Sequence, residues 1–160
     1  MRTLKTVAIT LAVSILAILA ICYGFVRSGG LSARKKPGGL EYAVAALALN
    51  LSIPAGAKSA KNPVAPSSEA LAAGTKIFSE NCAACHGNNG AGQTNTAKGL
   101  SPGVPDLRAK HVQELADGEM FYVIKNGIRF TGMPGWDLRD EQIWKLVLAT
   151  RQLAQQHTNP

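Results

Sequence analysis

At 160 residues the chain has room for one or two small domains. Its 17 Lys and Arg against 10 Asp and Glu give a formal charge of +7, but the excess is local: residues 1–66 hold 8 bases and the single acid Glu41, while residues 67–160 hold 9 of each sign. The basicity therefore belongs to the amino-terminal part, and no nucleic-acid surface is implied.

Residues 1–6 are a short basic leader to an uncharged run, Val7 to Val26, "VAITLAVSILAILAICYGFV". As a helix this run is about 30 Å long, the thickness of a bilayer's hydrocarbon core. A cleaved signal peptide competes with that reading, but the run is long for one and Arg27 ends it without a small-residue cleavage site. The reading taken is an uncleaved single-pass anchor. Cys22 inside it follows the bulky Ile21, so it reads as apolar filler and not as a lipid-attachment site. Arg27, Arg34, Lys35 and Lys36 follow at the level of lipid headgroups.

Residues 27–66 read as a basic linker. Within it Leu40 to Ile53, "LEYAVAALALNLSI", is a second apolar run. At about 21 Å it is too short to cross a bilayer, and it is expected at the interface or packed on another chain. Prolines 54, 63 and 66 make residues 54–66 an expected semi-extended spacer outside any core.

A globular part is expected over residues 67–155, with 156–160 as a tail. Ser67 or Ser68 caps a first helix with Glu69 in its first turn, and Leu71, Gly74, Ile77 and Phe78 recur at helical spacing. Residues 87–105 hold almost no large apolar side chain and read as loop. A second helix fits 117–126, capped by Asp117 and closed by Gly127. A third fits roughly Leu138 to Ala154, with Ile143, Trp144, Val147 and Leu153 on one stripe. No segment alternates as a strand does, so the domain is all-α.

"NCAACHG", 81–87, concentrates the chemistry. A redox disulfide at Cys82 and Cys85 calls for a βαβ setting, which an all-α domain lacks. A structural zinc calls for a fourth ligand, and only the isolated His111 and His157 remain. Covalent haem accounts for all three residues, since Cys-x-x-Cys-His is the c-type attachment pattern. On one helical turn Cys82 and Cys85 can bond two vinyl groups while His86 reaches the iron. The sixth ligand decides what such an iron can do. "RFTGMPGW" offers Met133 between Gly132 and Pro134, a stiff loop presenting a soft sulfur, whereas Met120 sits in a helical stripe as filler. His111, in the polar "RAKHVQEL", is the rival.

With these residues in view, the chain from about Ser67 to Leu153 resembles the class I (mitochondrial-like) cytochromes c, in a membrane-anchored bacterial form. The resemblance rests on "GTKIFSENCAACHG" (74–87), "PDL" (105–107), "IKNGIRFTGMPGW" (124–136) and "DEQIWKLVLATRQL" (140–153). It implies one haem c held through Cys82 and Cys85, with His86 and Met133 on the iron. It further implies that the Pro105 carbonyl accepts from the second ring nitrogen of His86, and that Gly74 and Phe78 cross Trp144. Phe78, Leu107, Tyr122, Ile128, Phe130 and Trp136 are the expected haem-lining residues, and the domain is expected to be largely unfolded without haem.

The function so implied is single-electron transfer between a redox-protein donor and acceptor at the periplasmic face of a bacterial inner membrane, with no substrate turned over by this chain. Because haem attachment in the family takes place outside the cytoplasm, the amino terminus is expected inside. Two alternatives stand beside it: a haem subunit of a larger oxidase, dehydrogenase or reaction-centre complex, docked through residues 40–53, and a haem sensor or enzyme that opens its sixth position to a small molecule.

Overall fold

The computed structural model describes residues 2–32 and 35–158, and Arg34 of the basic flank and the tail residues Asn159 and Pro160 lie outside that range. The chain divides into two units, Met1–Lys35 and Lys36–Pro160. Helices are the only regular elements among the described residues.

The first unit is one helix, α1 (Arg2–Arg27). Its stretch Thr3–Arg27 is long and apolar enough to cross a membrane, and its large side chains, from Leu4 to Val26, are all exposed. Ser28 and Gly29, the latter at φ 76°, break the helix, and the Lys35 ammonium donates to the Ser28 carbonyl.

The second unit is built on the crossing of α4 (Ser68–Asn81) with α8 (Asp140–Thr158). The Ser67 hydroxyl accepts from the Ala70 amide at 3.1 Å, which satisfies one of the free amides that begin α4. Ile143, Leu146 and Val147 are at most 1% exposed and form the core with Ala70 and Phe78. The crossing partner of Gly74 differs from the expected one. A Cβ on Gly74 would overlap the Lys145 carbonyl and stand 3.3 Å from the Ala149 methyl, so the glycine seats on the Lys145/Ala149 face of α8. Trp144 lies one residue, about 100°, around the helix, and its ring stacks on Phe121 at 4.3 Å.

Phe121 belongs to α7 (Asp117–Asn126). Glu119 reaches back to the Ala116 amide at 2.8 Å and starts this helix, while Asp117, the expected cap, is taken by Arg151. Gly127, at φ 69°, ends it. α8 begins at Asp140 and not at Leu138, because Gln142 accepts from the Arg139 amide at 3.1 Å, the reciprocal half of a capping box.

Residues 53–62 depart furthest from expectation. The predicted spacer carries a short helix, α3 (Ala55–Ser59), packed against α7. Gly118 makes the notch for it: a Cβ there would overlap the Ala57 carbonyl. Ile53 is 5% exposed, and the Asn62 amide donates to the Trp144 carbonyl at 3.0 Å. Proline spacing suggested an extended tether, but Pro54 at the start of a helix is compatible with its fixed φ. Ahead of it α2 (Gly39–Ser52) is a helix whose apolar side chains are mostly open.

Candidate functional site

The site starts at the end of α4. Cys82 closes that helix, its amide bonded to the Phe78 carbonyl at 2.8 Å, and also opens the single turn α5 (Ala83–His86). The His86 and Cys85 amides both donate to the Cys82 carbonyl, at 2.9 and 3.2 Å, which sets the two cysteines and the histidine on one turn. Gly87 then turns the chain away at φ 74°. Both thiols are half-buried and unpaired. Burial, with Cys85 alongside, pushes the Cys82 thiol up to about 11, so Cys82 is held as a neutral thiol. Among the described residues no three His, Cys, Asp or Glu side chains converge as a metal site, which leaves the zinc reading without its remaining ligands.

His86 is held from behind. Its amide neighbourhood closes through Gly92, whose N–H donates to the His86 carbonyl at 2.8 Å, and Gly92 packs against the carbonyls of Val104 and Pro105. The His86 Nδ1 is buried with no hydrogen-bond partner. Burial lowers the imidazole's basicity, and the nearby Pro105 carbonyl acts in the opposite sense. The Pro105 carbonyl is thus near enough to favour a proton on the ring. An orphaned buried nitrogen beside a carbonyl fits an imidazole whose other nitrogen ligates iron, since ligation fixes the tautomer and strengthens such a second contact.

Met133 is fixed by a closed loop. Its carbonyl accepts from the Ile128 amide at 3.1 Å, and its own amide donates to the Thr131 hydroxyl at 3.1 Å, which in turn donates to the Ile128 carbonyl at 2.7 Å. The Trp136 amide closes the other end on the Lys125 carbonyl at 3.1 Å. Gly127 lets the two arms touch, because a Cβ there would overlap the Gly135 amide. Gly132 rests on Leu100, so the long polar loop lies against the methionine loop.

Of the expected lining residues, Leu107, Tyr122, Ile128 and Trp136 are half-buried and Phe78 is buried in the α4–α8 crossing. Phe130 departs from expectation: it is 91% exposed, in a left-handed conformation at φ 63°, with the Arg129 guanidinium 5.6 Å from its ring centre. His111, the rival ligand, is exposed on the short helix α6 (Lys110–Gln113).

Three supports carried no signal in the sequence. Thr94 donates to the Cys85 carbonyl at 3.1 Å from within the featureless loop. Gln113 donates to the carbonyls of Leu107 and Thr150, at 2.7 and 3.2 Å, and ties the segment behind His86 to α8. Arg151 donates to the carbonyls of Gln113 and Leu115 and to Asp117, clamping the α6–α7 corner.

These residues fit a covalently held haem: two free thiols, an imidazole whose buried Nδ1 has no hydrogen-bond partner, a thioether on a braced loop and half-covered apolar walls. Comparison with known proteins agrees. The family model described as Cytochrome C oxidase, cbb3-type, subunit III matches residues 69–148. Among solved structures, a chain of the Kuenenia stuttgartiensis reducing HAO-like protein complex Kustc0457/Kustc0458 is similar at a TM-score of 0.52 and 24% identity. The similarity covers 57% of this chain and 46% of that one, and it speaks for the fold alone. No curated protein sequence matches.

Proposed function

The chain belongs to the c-type cytochrome family described as Cytochrome C oxidase, cbb3-type, subunit III, and from that membership we propose that it is a membrane-anchored carrier passing single electrons between redox partners at the periplasmic side of a bacterial inner membrane. When bound, haem supplies one-electron chemistry between ferrous and ferric iron. Cys82 and Cys85 would hold it by thioethers, His86 and Met133 would ligate its iron, and the Pro105 carbonyl would help to orient His86. Leu107, Tyr122, Ile128 and Trp136 exclude water from it. With His86 and Met133 both on the iron, a substrate would have no open position there, and the chain would move electrons alone.

The observation that supports this reading is the placing, on one turn, of two unpaired thiols and an imidazole whose buried Nδ1 has no hydrogen-bond partner. A second reading, a haem subunit within a larger redox complex, is favoured by the matched family's own description as an oxidase subunit. The two share the same iron chemistry and differ in whether the chain moves freely in the membrane.

Pyridine haemochrome analysis of the full chain, matured in a host able to attach haem, tests the proposal. One haem per chain of the two-thioether type is expected, and its reduced spectrum should not change under carbon monoxide. A carbon monoxide adduct in the wild-type chain would instead assign it to the small-molecule-binding class.

A further inference from the structure

We infer that α2 lies in the boundary between headgroups and acyl chains of an anionic bilayer, inserting the stripe Leu40, Val44, Leu47 and Leu51, and so holds the haem domain at the membrane surface. The inference rests on the reading of α1 as a membrane anchor.

The stripe follows from spacing. Leu40, Val44, Leu47 and Leu51 are separated by four, three and four residues, which places them on one side of a helix. All four are open, at 81, 59, 59 and 74% exposure. On the opposite side, Tyr42, Ala46 and Leu49 lead toward Ile53, and the last two of that series, Leu49 and Ile53, are half-buried and buried in the domain. Between the two sides runs a row of small and polar residues, Glu41, Ala45, Ala48 and Ser52. The helix thus has one apolar side whose end is fastened to its own domain and one that none of the described residues covers.

What covers the open side is indicated by charge and by chain length. The exposed Lys36 and Lys61 flank α2 and its fastening, Lys58 is tied to Asn50 at 2.9 Å, and the only acid in the helix, Glu41, is off the stripe. Basic ends around an uncharged apolar stripe complement anionic headgroups over acyl chains. Residues 28–38, which join α2 to the end of α1, span at most about 40 Å and so keep α2 within that reach of the bilayer. The fastening then carries the position into the domain: Ile53 is buried, α3 fills the notch at Gly118, and Asn62 bonds the Trp144 carbonyl. A domain so attached presents its haem to partners in or on the membrane plane.

Collision accessibility of spin labels decides the matter. The full holoprotein, in a Cys22→Ser background with Cys82 and Cys85 consumed by haem, is reconstituted into phosphatidylethanolamine–phosphatidylglycerol vesicles. Labels are placed singly through Leu47→Cys, Ala45→Cys and Ile15→Cys, with haem absorbance confirming each fold. Expected is a several-fold higher ratio of oxygen to water-soluble nickel-chelate collisions at 47 than at 45. Open access of the chelate to 47 overturns the inference, and shielding of 47 from both reagents overturns it in favour of a protein contact, whether a partner or a second copy. The label at 15 separates the two readings: chelate access there refutes the anchor itself, whereas a lipid signature at 15 with chelate access at 47 refutes the placement of α2 alone.

Discussion

Gly74 and the Lys145 carbonyl touch backbone to backbone, and the whole haem domain is organised around that contact. The absent side chain is what lets α4 and α8 close over Ile143, Leu146 and Val147. Gly74→Ala puts a methyl group into the Lys145 oxygen, which cannot give way without opening the crossing. Overpacking of this kind costs about 1–3 kcal/mol. Guanidinium unfolding of the holoprotein should show that loss, and an unchanged midpoint would place the crossing elsewhere.

Gly118 plays the same part for the amino-terminal segment. Gly118→Ala forces the Ala57 carbonyl off α7, and with it α3. Hydrogen exchange should then rise over residues 54–62 while the α4–α8 core keeps its protection. Equal protection in the two proteins would mean that α3 does not pack as described.

Arg151 gathers two carbonyls and Asp117 at the α6–α7 corner. Arg151→Met keeps much of the side-chain bulk but leaves those acceptors to water, at a cost of about 1–3 kcal/mol given partial exposure. Lysine cannot replace the fork geometry and should recover little. Both variants are read by the denaturation midpoint of the haem-loaded chain.

Met133→His tests the axial assignment without emptying the position. Imidazole favours ferric iron more than a thioether does, so the midpoint potential should fall, within the roughly 0.8 V range that axial ligands span. The absorption band characteristic of methionine ligation in the oxidised protein should vanish. Met133→Ala, by contrast, should let carbon monoxide bind the reduced iron. Insensitivity of the potential and the spectrum to both changes would remove Met133 from the iron.

Acid should weaken the domain through two exposed carboxylates. Glu69 is held below the ordinary carboxylate range first by its own backbone N–H, then by the Ser67 and Ser68 hydroxyls, and Glu141 is held low by Lys145. A lowered folded-state value contributes stability that is present above the unfolded value, near 4.3, and lost as pH falls through the folded one. Helicity of the holoprotein followed below pH 5 should fall less steeply in Glu69→Gln, Glu141→Gln than in the wild type.

How much of this was legible beforehand divides along the range of the interactions. The attachment motif at 82–86, the braced methionine at 133, the all-helical pattern and the long apolar run at 7–26 are local, because covalent spacing, backbone stiffness and a period of 3.6 are properties of neighbouring residues. Even the cap at Ser67 follows from four adjacent positions. The helix at Ala55–Ser59 is not legible in the sequence, because prolines 54, 63 and 66 report backbone stiffness and say nothing of the notch that Gly118 opens some sixty residues later. Trp144 was expected at the Gly74 crossing, and only the rotation of α8 turned it to Phe121 and gave Lys145 the glycine. Likewise Gln113 and Arg151 stand in polar stretches without any pattern, and their value lies in carbonyls 36 or more residues away in sequence. The sequence by itself determined the chemistry that the chain can hold, since ligands must sit at fixed spacing on one turn or one loop. Tertiary structure alone decided what braces His86 and Met133 and how α3 seats on α7, because hydrogen bonds and close backbone contacts are made between surfaces that exist only once the helices have packed.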